Sequence, residues 1–196
     1  MQMREATINR ETKETQIKMT LSLDRLGKGG LDGTSGIGFF DHMLNSFCVH
    51  GGFGLSISMT GDLNVDGHHS VEDVGIVLGK LFAEILGDRG GIRRFGSCFL
   101  PMDEALAFCA IDISGRPYLH YDVRQTASAV GDYDAQLTEE FMRALAINMG
   151  ATLHVKLEYG VNQHHITEAV YKAVARAISE AVTPFGEGVL SAKGGL

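Results

Sequence analysis

The sequence predicts an α+β fold built from two similar halves, residues 1–90 and 91–196, fused into one compact unit. Three observations predict it. The pentapeptide His-His-x-x-Glu occurs as His68-His69-Ser70-Val71-Glu72 and again as His164-His165-Ile166-Thr167-Glu168, 96 positions later. Each copy opens an apolar, helix-forming run, with Val74, Ile76, Val77, Leu78, Leu81 and Phe82 after the first and Val170, Val174, Ala175, Ala177 and Ile178 after the second. The elements around both copies come in the order strand, strand, helix, strand, helix. Without gaps, Gly54 falls on Gly150 and Leu55-Ser56-Ile57 on Ala151-Thr152-Leu153.

Element by element, a first strand is expected before Asn9. Ile17, Met19, Leu21 and Leu23 then alternate with polar residues over 15–24, the period of a half-buried strand. A helix over 40–49 is stopped by His50-Gly51-Gly52, and a short strand over 54–59 leads into the first His-His helix, which ends near Gly87. The stretch 87–96 is the junction. In the second half, 105–113 and 118–123 read as strands joined by the turn Ser114-Gly115-Arg116-Pro117. A helix over 137–149 stops at Gly150, 152–157 is a strand, and the second His-His helix runs to about Val182.

Composition narrows the function. A hydrophobic fraction of 44% supports a real core. The net charge of −7, without a run of Lys or Arg, argues against a nucleic-acid or anionic-membrane surface. No stretch of about 18 apolar residues offers a membrane span. The polar N-terminus, 1–14, does not read as a signal peptide. Cys48, Cys98 and Cys109 lack CxxC spacing and read as buried thiols of a reducing cytoplasm.

The histidines carry the chemistry. Residues four apart share a helix face, so His68 lies above Glu72 and His164 above Glu168, each pair able to chelate one cation. His69 and His165 point about a quarter-turn away and reach toward a second one. His42 joins them from the start of the preceding helix, where Asp41 is either a carboxylate behind a ligand or an N-cap. His50 and His120 do not repeat and read as ordinary residues. Imidazole nitrogen with carboxylate oxygen and no thiolate suits Mn, Fe, Ni, Zn or Co. The two motifs can face each other within a protomer or across a subunit boundary. A dinuclear metallohydrolase and a non-enzymatic metal-binding assembly are the competing readings.

The blocks Phe39-Phe40-Asp41-His42-Met43-Leu44, Gly61-Asp62-Leu63 through His68-His69-Ser70-Val71-Glu72-Asp73, and Pro101-Met102-Asp103-Glu104-Ala105-Leu106 resemble the imidazoleglycerol-phosphate dehydratase family. So do Asp112-Ile113-Ser114-Gly115-Arg116-Pro117, Leu153-His154 through His164-His165-Ile166-Thr167-Glu168-Ala169, and Ser191-Ala192-Lys193-Gly194. The match runs in order along essentially the whole chain. The resemblance implies a lyase of histidine biosynthesis that dehydrates imidazole glycerol phosphate to imidazole acetol phosphate with two Mn(II) ions per active site. It implies a ribosomal protein S5 domain 2-like fold, with helices packed between two four-stranded mixed sheets. It further implies a cytoplasmic homo-oligomer built from trimers into 24 subunits, with active sites at subunit boundaries. Family ligands carry over onto His42, His68, His69, Glu72, His164, His165 and Glu168, which are thereby catalytic residues as well. Where the family commonly has a further histidine, this chain has Glu140, which can ligate as a hard carboxylate; Glu139 or His154 are the alternatives.

The resemblance also assigns the substrate contacts. Glu14 matches a family residue that touches substrate and is the leading acid/base candidate, ahead of Asp103 and Glu104 and of metal-bound water. Arg94, Arg116, Ser191 and Lys193 match the phosphate and substrate residues, with one serine before the lysine where the family has two. The proton on C2 lies beside no carbonyl, so it is not acidic. Two cations on the two ring nitrogens favour the imidazolate, which can expel the C3 hydroxyl and acidify C2.

Overall fold

Alternation along each strand decides which face meets the helices. In β2 (Thr15–Ser22) the inward set is Ile17, Met19 and Leu21; in β4 (Gly54–Gly61) it is Leu55 and Ile57, and all five are buried. The second half repeats this with Ala107, Cys109 and Ile111 of β6 (Ala105–Asp112) and Leu153 and Val155 of β10 (Thr152–Tyr159). In the computed structural model, which describes residues 4–24 and 28–191, these strands belong to two four-stranded mixed sheets. The first has the order β1-β2-β4-β3, with β1 at Glu5–Glu11 and β3 at Gly30–Thr34. The second has the order β5-β6-β10-β7, with β5 at Phe95–Met102 and β7 at Tyr118–Asp122. The topologies coincide: in each sheet one edge strand runs parallel to its neighbour, β3 to β4 and β7 to β10. A short hairpin, β8 (Ala129–Val130) with β9 (Tyr133–Asp134), is added before the third helix.

Four helices fill the space between the sheets: α1 (Gly38–Gly51), α2 (His68–Leu86), α3 (Leu137–Met149) and α4 (Gln163–Ala181). Helix α2 packs on α3 and α4 on α1, so exchanging the halves maps one pair onto the other. The two pairs differ in depth. A Cβ at Gly75 of α2 would lie 2.8 Å from the Phe141 carbonyl oxygen, and one at Gly79 2.7 Å from that of Leu145. The corresponding positions in α4 are Tyr171 and Ala175, and the fully buried Tyr171 ring stacks on Phe141 and reaches Tyr133 through its hydroxyl at 3.1 Å. Glycine lets α2 sink onto α3, whereas tyrosine holds α4 off α1.

The element order agrees with the sequence reading where elements were expected, but several corrections are needed. Strands β3 and β5 and the β8–β9 hairpin were not foreseen, and the end of the expected 87–96 junction belongs to β5. The pairing of β4 with β10 is shifted from the gap-free alignment: Ser22 faces Gly54 as Asp112 faces Thr152, so Gly54 corresponds to Thr152 rather than Gly150. Cys98 is partly exposed, while Cys48 and Cys109 are buried. No helix of the described residues is long and apolar enough to cross a membrane.

Candidate metal centre

Both His-His helices start the same way. The His68 backbone N–H donates to Asp66 Oδ1 at 2.7 Å, and that of His164 donates to Asn162 Oδ1 at 2.9 Å. An Asx side chain two residues ahead thus caps each helix and fixes where the first histidine stands. The start of α2 meets those of α1 and α3 around a cleft of about 330 Å³ lined by Ile37, Gly67, His68, Asp132, Gln136 and Leu137, among others. Asp132 closes the α1 end by accepting from the N–H groups of Gly38 and Phe39. The neighbouring Phe39 ring stands edge-on to His164, 5.0 Å between centroids.

Three of the expected ligands already converge. Glu168 Oε2 lies 3.2 Å from His164 Nε2 and 3.5 Å from His42 Nε2, and the three donor atoms fall within 4.8 Å of one another. Donors on opposite sides of one ion, each bonded at about 2.1 Å, stand about 4 Å apart, so small rotations close this set on a cation. The set of two nitrogens and one oxygen fits the chemistry of a divalent ion of the Mn-to-Zn series. Lys172, which sequence reasoning missed, holds the other Glu168 oxygen at 2.6 Å. Burial pushes the Glu168 carboxyl up, but Lys172, then His42 and His164, more than offset this and hold it below the ordinary range. The Glu-x-x-x-Lys spacing was the available signal.

The other motif is looser. His68 Nε2 stands 4.0 Å from Glu72 Oε2, and both side chains are nearly half exposed. Glu140, the expected substitute ligand on α3, lies 3.9 Å from Arg143, and Glu139 also pairs with Arg143. Among the described residues neither joins His68 and Glu72 in a donor group tight enough for an ion. His154 faces away from the helices, on the outer side of β10, where it packs against His120 at 5.3 Å between centroids. Asp41 is neither a ligand's partner nor a helix cap: Thr34 and Ser35 donate to it and it shapes the turn from β3 into α1.

The second histidine of each motif is gripped by a carboxylate at Nδ1. For His69 this is Asp62 at 2.9 Å; for His165 it is Glu104 at 2.7 Å. These hydrogen bonds raise both imidazole pKa values, with desolvation opposing. Bonding to His165, then to the Asn162 N–H, pulls the Glu104 carboxyl down to about 2. Beyond the outward nitrogens stand two more carboxylates, Glu14 at 4.0 Å from His69 Nε2 and Asp103 at 3.8 Å from His165 Nε2. The turn bearing Glu14 is tied to α2 by buried Asp73, which accepts from Arg10 Nη2 at 2.8 Å and from the Thr15 hydroxyl.

The expected phosphate residues lie elsewhere in the chain. Arg94 forks onto Asp112 at 2.7 and 3.1 Å and donates to the Leu190 carbonyl at 2.6 Å; Arg116 stands 3.8 Å from the same Asp112. Asp112 ends β6 and Glu104 precedes it, so at about 3.3 Å per residue the two arginines sit about 25 Å from His165. Ser191 is the last described residue, and Lys193 lies outside the described residues.

Fold and site define a duplicated α+β protein that presents paired imidazole–carboxylate clusters, a donor set for divalent cations. The family model described as imidazoleglycerol-phosphate dehydratase matches residues 35–178. The imidazoleglycerol-phosphate dehydratase of Alkaliphilus metalliredigens is 53% identical over 190 residues, 96% of each chain. That of Acetivibrio thermocellus is 49% identical over 193 residues, 97% of this chain and 98% of the relative. The crystal structure of the Staphylococcus aureus imidazoleglycerol-phosphate dehydratase superposes with a TM-score of 0.83 at 39% identity, covering 92% of this chain and 99% of that one. The Pyrococcus furiosus protein, solved in complex with (S)-C348, gives 0.83 at 38% identity over 96% and 100%. The chain belongs to the imidazoleglycerol-phosphate dehydratase family and is an enzyme of it.

Proposed function

We propose that this chain dehydrates imidazole glycerol phosphate to imidazole acetol phosphate, a lyase step of histidine biosynthesis, with two Mn(II) ions per active site. The observation that carries the metal-dependent reading is the convergence of His42, His164 and Glu168 within one chain. In this reading His164 with Glu168 and His68 with Glu72 each chelate one cation, and His69 and His165 reach the neighbouring one. Glu140 completes the looser set. Its support is positional: Gly52 and Gly150 cap α1 and α3 with the same left-handed backbone, and counting back from each places Glu140 where the first half has His42.

Cations held by these residues would supply Lewis acidity to the substrate's ring nitrogens, favouring loss of the ring N–H proton to a base and departure of the C3 hydroxyl. The chain's own groups do the rest. Glu14, half exposed beside His69, is the proton-transfer residue for C2 and for the departing hydroxyl. Arg94, Arg116, Ser191 and Lys193 hold the phosphate, the arginines as forked donors. The span of about 25 Å along β6 between His165 and the arginines supports a site completed by a neighbouring subunit, because one small substrate cannot touch both ends. That separation supports the homo-oligomeric part of the reading, and the family resemblance supports the rest of it, a cytoplasmic assembly built from trimers into 24 copies. Within each copy, 1–90 and 91–196 act as one unit, supported by Arg4 of the first half donating to the Val182 carbonyl at 2.6 Å.

The test is turnover of imidazole glycerol phosphate by metal-stripped protein with and without added Mn(II), following the ketone product. Ketone formation that requires Mn(II) is expected. Release of inorganic phosphate instead would favour a dinuclear hydrolase. Bound metal with no turnover, and with Arg94→Ala indistinguishable from wild type in substrate affinity, would favour a non-enzymatic assembly.

A further inference from the structure

The two halves bring different acidic residues to the same imidazole nitrogen. Sheet pairing fixes which positions correspond. Glu5 faces Ser22 as Phe95 faces Asp112, so the first two strands of the halves are related by a shift of 90. Under that shift Glu14 corresponds to Glu104, each ending the turn before the second strand of its half. The pairing of Ser22 with Gly54 and of Asp112 with Thr152 relates β4 to β10 by a shift of 98, which a bulge between Leu157 and Tyr159 raises to 99, so that Gly61 corresponds to Gly160 and Asp62 to Val161.

The second half has no acid at that position: Val161 stands there, its side chain largely exposed. The connections differ too. Residues 62–67 join β4 to α2, but only 160–162 join β10 to α4. The longer connection accommodates Asp62 beside His69; the shorter one leaves His165 to the turn glutamate. Glu104 accepts His165 Nδ1 at 2.7 Å and the N–H groups of Asn162 at 2.8 Å and Val161 at 3.3 Å, which ties the head of α4 to the β5–β6 turn.

We propose that the turn glutamate has split its role between the halves: Glu104 positions His165 through Nδ1, whereas Asp62 does this for His69 and so frees Glu14 for proton transfer on the Nε2 side. A carboxylate at Nδ1 holds the proton on that nitrogen and leaves the Nε2 lone pair pointing outward for a cation. Asp62 and Glu104 are therefore positioning residues, and neither meets substrate. The proposal rests on the reading of His69 and His165 as ligands, and the experiment separates the two.

Mn(II) affinity of the metal-stripped full chain is measured by calorimetry for Asp62→Ala, Glu104→Ala and Glu14→Ala, alongside kcat. The first two are expected to bind Mn(II) about 10- to 100-fold more weakly. Glu14→Ala is expected to keep its metal affinity and lose about 100-fold in kcat. Asp62→Asn and Glu104→Gln, whose amide oxygens still accept from Nδ1–H, should recover most of the lost affinity. Nitrogen chemical shifts of the metal-free protein should report the Nδ1–H tautomer for His69 and His165 in wild type and a mixture in the alanine variants. A folded Glu104→Ala or Asp62→Ala with wild-type affinity overturns the proposal. So do amide variants as weak as the alanine ones, or a Glu14→Ala that loses metal as Asp62→Ala does. Wild type that takes up no Mn(II) defeats the metal reading instead, and the tautomer measurement then decides this one alone.

Discussion

Replacing Lys172 by methionine removes the charge facing Glu168 and keeps most of the volume. Glu168 and Lys172 are both largely buried, with 8% and 13% of their side chains exposed, so the carboxylate is left in a site whose burial alone disfavours its charge. The protein can always escape by protonating Glu168. From an ordinary value of 4.5, that costs about 1.36 kcal/mol per pH unit, or about 3.4 kcal/mol at pH 7. This figure caps the penalty of uncompensated burial, and at about 2–4 °C per kcal/mol it corresponds to a fall in Tm of about 7–14 °C. The sign with pH follows. In wild type the Glu168 carboxyl sits below 4.5, so its stabilisation is present above that pH and is lost in more acid solution. In the variant it rises above 4.5, so the gap between the proteins shrinks as pH falls from 7 toward 5. Denaturant unfolding of the metal-stripped proteins at several pH values measures this. A gap of constant size across that range, or no gap, would refute the electrostatic reasoning. The same variant should bind metal more weakly, because a protonated carboxyl is a poor ligand.

Asp73→Ala strips the acceptor from Arg10 and Thr15; it should cost about 3 kcal/mol and lower kcat more than metal affinity, because the Glu14 turn loses its anchor on α2. Calorimetry beside steady-state kinetics checks it. Gly75→Ala should cost about 1–3 kcal/mol by forcing α2 off Phe141 and Ala144, read as a shift in the denaturant midpoint. Glu104, held at about 2, contributes stability that is complete above 4.5 and disappears as pH falls toward 2; the difference between wild type and Glu104→Gln should vanish through that window. Because His69 and His165 hold protons to pH values above 6.5, Mn(II) affinity should start to decline above that pH on acidification, which a pH series of titrations reports.

The parts of the fold that the sequence carries locally were legible. Helix α3 occupies the expected 137–149, because its apolar positions recur at the helical period and Gly150 takes the left-handed conformation that ends it. Strand β3, Gly30-Leu31-Asp32-Gly33-Thr34, has no such signal; it is a strand because it pairs in parallel with β4, a contact between residues 24 apart. In β5, Phe95 and Phe99 are exposed on the outer face while Gly96 and Cys98 face inward, so alternation is inverted in hydrophobicity and hides the strand. The site divides in the same way. The histidine–glutamate pairs lie four residues apart and were found, whereas Asp62 and Glu104 act on histidines 7 and 61 residues away. Only the folded chain brings those partners together.

Duplication explains why the two clusters are unequal. Under the shift that relates the His-His helices, Asp73 corresponds to Ala169, Gly75 to Tyr171 and Ile76 to Lys172. Each difference falls on one side of the same division. The first half has a buried acid that anchors the Glu14 turn and glycines that seat α2 deeply on α3. The second has a lysine that keeps Glu168 ionised and a tyrosine that spaces α4 from α1 while Glu168 meets His42 across that gap. A tight helix pair beside a loosely gathered first cluster, and a spaced pair around a preassembled second one, are what result when one repeat keeps its proton-transfer turn and the other keeps its ligands closed. Exchanging the pair, with Gly75→Tyr and Tyr171→Gly together, should therefore not restore symmetry: Asp73 has no acid at 169 to match it and Lys172 no cation at 76, so the second cluster should still bind metal the more tightly of the two.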